Sequence, residues 1–234
     1  MEPVRAQPRW GIVDWFAAWV GSFVAVVVCQ PLVLAITGQS GVTDSDKWPL
    51  STTALLQVPL YGVMVIAAFV ITRRKGNGPV ADLRLGIRWT DVPIGLAVGV
   101  TLQGLGNALY LPLYWFTNIT SDDIEENARK LSDRAHGAGV LLLLLVVVIA
   151  APLVEEIFFR GLLLRSLERR LGTRWAIVLS SLVFAASHFE KYEFPALFLF
   201  GLGAAVLAVR TDRLGPGIMA HFAFNSVAVF FLLR

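Results

Sequence analysis

Long apolar runs separated by short polar connectors occupy almost the whole chain. A helix needs about 20 apolar residues to cross the hydrocarbon core of a membrane, and seven runs approach or reach that length. The predicted spans cover residues 15–36, 53–72, 92–116, 139–164, 174–188, 194–209 and 215–233, the fifth and sixth being short. The pattern predicts an all-α fold, a polytopic membrane helix bundle with about seven transmembrane helices. We expect residues 1–234 to form a single membrane-embedded domain.

Composition supports an integral membrane protein. Hydrophobic residues make up 56% of the chain and charged residues only 16%, whereas soluble domains carry about 25% charged residues. Cys29 is the single cysteine, which excludes an internal disulfide framework and a four-thiolate zinc site. We therefore expect membrane lipids as partners and no nucleic acid.

The connectors between the spans differ in charge. If the N-terminus is cytoplasmic and the seven spans alternate in direction, cytoplasmic connectors hold 13 basic residues and the opposite side holds six. Cytoplasmic loops of membrane proteins are enriched in Lys and Arg. The bias predicts a multi-pass protein of the cell membrane with a cytoplasmic N-terminus.

One connector and one span contain polar residues at helical spacing. Residues 121–134 predict an amphipathic helix on the outer surface, which we interpret as a solvated connector, with a lid as the alternative. Gln103 and Asn107 lie four residues apart within the third span. We expect them to form hydrogen bonds between helices or to satisfy carbonyls freed by proline, with lining of a substrate path as the alternative.

Ionisable residues appear inside the fourth, fifth and seventh predicted spans. The fourth contains two adjacent carboxylates and an arginine, the fifth ends on a histidine, and the seventh contains a histidine and an asparagine: Glu155, Glu156, Arg160, His188, His221 and Asn225. An ionisable group at membrane depth is energetically expensive, so a functional site is the default interpretation. The alternative is a pair of acids that Arg160 merely neutralises.

Helical geometry assigns different surroundings to the two acids. Adjacent residues of an α-helix point about 100° apart, so Glu155 and Glu156 cannot face one point equally. Arg160 follows Glu156 by four residues and is placed to pair with it on the same helix face. The spacing thus leaves Glu155 free for chemistry. His221 and Asn225 are also four apart and present two polar groups to one side.

Two kinds of chemistry suit this set of residues. A carboxylate and a histidine can activate a water molecule, while a second histidine and an amide can donate hydrogen bonds to an oxyanion, as an amide hydrolase requires. Alternatively, Glu155, His188 and His221 could bind a divalent metal, because two histidines and a glutamate form a known catalytic zinc set. The spacing alone leaves both versions open.

Three motifs, in this order on late membrane spans, resemble those of the CPBP family, the CaaX-protease and bacteriocin-processing (Abi) intramembrane proteases. They are Glu155-Glu156-x-x-x-Arg160, Phe184-x-x-x-His188 and His221-x-x-x-Asn225. The resemblance covers residues 141–230, so we expect residues 139–234 to form the catalytic core and residues 1–138 to contain variable spans. It implies an intramembrane endopeptidase similar to those that remove the last three residues of prenylated proteins. The expected substrate is a peptide or protein, with lipid-modified chains as candidates.

The resemblance also implies a role for each residue. Glu155 and His188 would activate the water, His221 and Asn225 would form the oxyanion hole, and Glu156 and Arg160 would support the site. The resemblance is compatible with a glutamate mechanism and with a metalloprotease mechanism in which Glu155, His188 and His221 hold zinc.

Two other functions are compatible with the same residues. The first is a non-catalytic membrane immunity or scaffold protein that uses the same fold. The second is a transporter or proton relay, because intramembrane Glu and His side chains also serve that purpose.

Overall fold

The computed structural model describes residues 7–234, apart from the side chain of Leu113. Residues 1–6, which include Arg5 of the charge count, lie outside the described residues. The described part of the chain is helical and contains no strand. Within residues 7–234, six helices are long and apolar enough to cross a membrane, and a seventh apolar helix is shorter. The protein is a multi-pass membrane protein with an all-α helix bundle, as its hydrophobic pattern predicts.

The helices follow one another with short connections. They are α1 (Ile12–Ile36), α2 (Leu50–Lys75), α3 (Pro79–Asp82), α4 (Asp91–Leu109), α5 (Leu111–Phe116), α6 (Ser121–Ser132), α7 (Ala138–Leu171), α8 (Thr173–Ala186), α9 (Phe194–Thr211) and α10 (Gly215–Leu232), with a 3₁₀ turn at Ser45–Lys47. Each predicted span overlaps these helices, the third covering both α4 and α5, and the amphipathic segment forms α6.

The fifth predicted span required one correction. We expected it to include His188, but α8 has only 14 residues and ends at Ala186, so His188 lies in the connection that follows. At about 1.5 Å per residue, α8 is roughly 21 Å long, which is shorter than the membrane core. The helix ends there because Phe189 adopts a left-handed conformation with φ 58°, which an α-helix cannot continue.

Helix α7 is not uniform along its 34 residues. Two π-helical segments, Leu144–Ala150 and Glu156–Leu164, flank a short α-helical segment, Ala151–Glu155. Wide π turns inside α-helices are frequent at functional sites. The change from α to π geometry falls between Glu155 and Glu156.

The core of the bundle surrounds the second half of α7. Phe158, Leu162, Phe184 and Phe200 are fully buried there, where α7, α8, α9 and α10 pack together. On the other side of α10, helix α4 packs closely against α10 because α4 has glycine residues at the contact. A Cβ atom at Gly99 would lie 2.1 Å from the carbonyl oxygen of Ala220. Small residues are what permits such close helix contacts in membranes.

The bundle has two polar ends. At the basic end, formed by residues 7–14, 73–91, 165–174 and 210–214, Arg84 pairs with Asp212 at 3.2 Å. At the acidic end, formed by residues 37–50, 116–138, 187–193 and 234, Lys130 pairs with Asp46 at 3.1 Å. At the same end, Arg134 donates to the carbonyl of Trp48. Helix α6 therefore lies across the acidic end.

Candidate active site

The six polar residues singled out in the sequence meet at one place inside the bundle. Helix α7 contributes the two glutamates and the arginine, the connection after α8 contributes one histidine, and α10 contributes the other histidine and the asparagine: Glu155, Glu156, Arg160, His188, His221 and Asn225. Four of them, Glu155, His188, His221 and Asn225, line a common cavity.

The inner layer of the site is a buried charge network. Glu156 is 0% exposed and Arg160 1%, and Nη1 of Arg160 lies 3.0 Å from Oε1 of Glu156. The ion pair expected from the four-residue spacing is therefore present. Oε1 of Glu156 also lies 3.1 Å from Nδ1 of His221. An ionised carboxylate only accepts hydrogen bonds, so Nδ1–H of His221 is the donor and the pair fixes the orientation of this ring.

Phe184 forms an aromatic platform beneath these groups. The Arg160 guanidinium lies 4.2 Å from the centroid of the Phe184 ring, at which distance a cation is attracted to the ring face. The centroid of His188 is 4.8 Å away and that of His221 is 5.9 Å away. The first residue of the Phe184-x-x-x-His188 motif thus packs against the cation and both imidazoles.

The outer layer of the site centres on Glu155. Its Oε2 lies 3.9 Å from Nε2 of His188 and 3.8 Å from Nε2 of His221, and its side chain is 16% exposed. Nδ1 of His188 donates to the carbonyl of Phe184 at 2.8 Å, so the neutral ring directs the lone pair of Nε2 towards Glu155. Both histidines therefore direct Nε2 at the same carboxylate oxygen.

Asn225 is held by the backbone of α7. Its side-chain Nδ2 donates to the carbonyl of Val147 at 2.7 Å. In the i→i+5 pattern of the π segment, that carbonyl would accept from residue 152, which is a proline and has no N–H group. Asn225 satisfies the carbonyl that Pro152 leaves free. One N–H bond of its amide remains for another acceptor.

The cavity that contains these groups has a volume of 340 Å³. Tyr61 of α2 and Ala128 of α6 belong to its walls. A neighbouring cavity of 440 Å³ is lined by Gln103 and Asn107, which hydrogen-bond to each other at 3.1 Å. The expectation that these two amides bond between helices is wrong, because both lie on α4.

Glu193 lies where the two cavities meet, since its side chain lines both. Burial raises the pKa of its carboxyl, with a further upward contribution from Glu190 and a downward one from His188. Sequence reasoning missed this residue, because a glutamate in a polar connector gives no signal of burial. It also missed Phe189, whose ring packs against Trp19 and Phe23 of α1 and so holds the chain next to His188.

The three expected zinc ligands do not fit a zinc ion in this arrangement. Ligand atoms 2.0–2.1 Å from a tetrahedral zinc lie about 3.3 Å from one another, whereas the Glu155 oxygen is 3.8 and 3.9 Å from the two imidazole nitrogens. Within residues 7–234 no group of three or more His, Cys, Asp or Glu side chains is placed to hold a metal ion. The geometry therefore does not support a metalloprotease mechanism.

Comparisons with known proteins find similarity to membrane peptidases. Residues 137–227 match the family model "Type II CAAX prenyl endopeptidase Rce1-like". The chain is also similar to the Bacillus subtilis (strain 168) protein named "Putative membrane peptidase YdiL", with 24% identity over 90% of this chain and 84% of that protein. No solved structure matches the chain. Residues 137–227 contain all six site residues, and the resemblance of this chain to the CPBP family of CAAX-type membrane proteases is confirmed.

Proposed function

We propose that the chain is an intramembrane endopeptidase that hydrolyses a peptide bond with a water molecule activated by Glu155 and His188. One observation carries the proposal: both imidazole Nε2 atoms converge on Oε2 of Glu155 inside a cavity. The adjacent Glu156 is bound to Arg160 and His221 and is fully buried. This division leaves one carboxylate available for proton transfer.

The first step is the attack of water. The 3.9 Å between Glu155 and Nε2 of His188 exceeds a direct hydrogen bond, and in this step a water between the two groups donates one hydrogen to each. Glu155 takes the proton, and the resulting hydroxide attacks the carbonyl carbon of the peptide. His188, fixed through its Nδ1–H to the backbone, orients the water. A carboxylate acts as general base in this way when it is positioned at the nucleophile.

The second step is stabilisation of the oxyanion. Protonated His221 presents Nε2–H, and the free N–H of Asn225 supplies a second donor on the same face of α10. An imidazolium at His221 is electrically balanced at this step, because the Glu156 carboxylate and the oxyanion together offset one guanidinium and one imidazolium. Glu155, now protonated, gives its proton to the leaving nitrogen as the carbon–nitrogen bond breaks. The carboxylate is thereby regenerated, and the products are a carboxylic acid and an amine.

The surroundings of this enzyme follow from its helices. We place it in the cell membrane with lipids around the bundle, a cytoplasmic N-terminus and a polypeptide as substrate. The basic end of the bundle and the apolar helices support this placement. A catalytic role accounts for the convergence on Glu155, which an immunity or scaffold function would not require.

The test is peptide cleavage by purified protein in detergent, followed by mass spectrometry of a peptide library. Glu155→Ala and His188→Ala are expected to lower the rate by about 10²–10⁴-fold, the range that positioned acid–base groups contribute. Asp133→Ala, which removes an exposed carboxylate of the acidic end, is the matched control and should cleave like the wild type. If all four proteins behave alike, the catalytic assignment fails.

A further inference from the structure

The two ends of the bundle differ in the sign of their charge. Within residues 7–234, the basic end carries twelve Lys or Arg residues and five Asp or Glu residues. The acidic end carries six Lys or Arg residues and nine Asp or Glu residues. Because Lys and Arg concentrate in cytoplasmic loops, the basic end belongs on the cytoplasmic side. The acidic end then faces the opposite side of the membrane.

The cavity is lined from the acidic end. From the middle of the helices the cavity extends towards the acidic end. There its walls are formed by the start of α2, by α6 and by the connection after α8, and its lining residues include Leu50, Asn127, Glu190 and Glu193. None of its lining residues belongs to the four segments of the basic end.

The path from the basic end is filled with packed side chains. Directly after Glu156, the next two turns of α7 bury Phe158, Arg160 and Leu162, which are 0%, 1% and 0% exposed. Phe184 packs over Arg160 from α8. Protein interiors packed in this way leave few voids larger than a water molecule. A polypeptide therefore cannot reach Glu155 from the basic end through these packed side chains.

We propose that the site takes its polypeptide substrates from the acidic, non-cytoplasmic side of the membrane. The substrate class is then an exported chain or the outer segment of a membrane protein, and not the cytoplasmic tail of a soluble protein. This inference rests on the proposed peptidase function. It adds the side of entry, which the charge of the two ends and the position of the cavity determine together.

The first test is cysteine labelling, for which the single Cys29 gives a simple background. In Cys29→Ser, we introduce Asn127→Cys at the cavity wall on α6 or Val80→Cys at the basic end, where Val80 is 70% exposed. Intact cells are treated with a membrane-impermeant maleimide–polyethylene glycol. Asn127→Cys is expected to react in intact cells, and Val80→Cys only after the membrane is opened with detergent. Any other pattern overturns the proposed side of entry.

The second test places a quenched fluorescent peptide mixture outside sealed membranes of known orientation. Right-side-out vesicles are expected to cleave it, and inverted vesicles only after detergent is added. Cleavage by intact inverted vesicles alone overturns the side of entry and leaves the peptidase function in place. Absence of cleavage in every preparation, detergent included, overturns the peptidase function and the inference with it, whatever the labelling result.

Discussion

The inner and outer layers of the site use the same residue types for different purposes. In the inner layer the side chains of Glu156, Arg160 and His221 are 0%, 1% and 4% exposed, and Glu156 pairs with both of the others. In the outer layer those of Glu155 and His188 are 16% and 28% exposed, and their facing atoms remain 3.9 Å apart. A charge that is fully buried must be paired, whereas a group that reacts must keep an atom free. The paired carboxylate of Glu156 and the free carboxylate of Glu155 are thus adjacent residues of α7.

The largest expected effect comes from removing the charge of the inner layer. Glu156→Gln keeps an oxygen for Nδ1–H of His221 but removes the ion-pair partner of the buried Arg160 cation. Breaking a buried ion pair in this way costs about 3–5 kcal/mol, or roughly 6–20 °C in the thermal midpoint of a chain of this size. The measurement is thermal unfolding of the purified protein in a mild detergent.

The adjacent residue is the matched control for this prediction. Glu155→Gln is expected to leave the thermal midpoint unchanged or slightly raised, because groups kept free for chemistry often reduce stability. Its rate of peptide cleavage should fall as far as that of Glu155→Ala. Equal losses of stability in the two glutamine variants would contradict the separation into layers.

The two layers also differ in how far the sequence predicts them. The pair of Glu156 and Arg160 follows from the four-residue spacing on a helix, which is local geometry. The helices follow from the hydrophobic runs, because length and apolarity suffice to define a membrane span. The inner bond of His221 to Glu156 joins α10 to α7, and no spacing along the chain indicates it.

The outer layer depends on backbone features that cannot be predicted from the sequence pattern. The left-handed Phe189 ends α8 before His188, although glycine is the residue usual at such a position. Because proline has no N–H group, Pro152 indicates that one carbonyl of α7 lacks a donor. Which carbonyl this is depends on the π-helical hydrogen-bond pattern, which makes it that of Val147. In the sequence Phe184 is only the first residue of a motif, because its contacts with Arg160, His188 and His221 come from tertiary packing.

A smaller effect is expected from crowding the inner layer without changing its charge. A Cβ atom at Gly217 would lie 2.9 Å from Oε2 of Glu156, and Glu156 cannot move away without releasing Arg160 or His221. Gly217→Ala is therefore expected to lower stability by about 1–3 kcal/mol, as overpacking does, and to slow cleavage through displacement of His221. Thermal unfolding and cleavage rate are measured together.

The control for crowding is a glycine in open space. A Cβ atom at Gly62 of α2 would meet nothing within 4 Å, and alanine has the higher helix propensity. Gly62→Ala should leave both stability and cleavage at or above the wild-type level. A loss in Gly62→Ala as large as that in Gly217→Ala would mean that contact with Glu156 is not the cause.

The smallest effect concerns the rim of the outer layer, where Glu193 is half-buried. Burial raises the pKa of its carboxyl in the folded protein, so the folded state binds this proton more tightly than the unfolded state. Its contribution to stability is therefore lost as the pH rises through the raised pKa. Glu193→Gln should match the wild-type thermal midpoint near about pH 4 and exceed it near about pH 8.

An exposed carboxylate of α6 gives the opposite sign and serves as control. Asp123 accepts hydrogen bonds from the backbone N–H and the hydroxyl of Thr120 at 2.7 and 2.8 Å, which lower its pKa. Its ionised form therefore stabilises the folded state above its ordinary pKa, and Asp123→Asn should lower the midpoint near about pH 8. If Glu193→Gln also lowers the thermal midpoint near about pH 8, the ionised form of Glu193 stabilises the folded protein. Glu193 then belongs with the paired carboxylate of the inner layer and not with the outer layer.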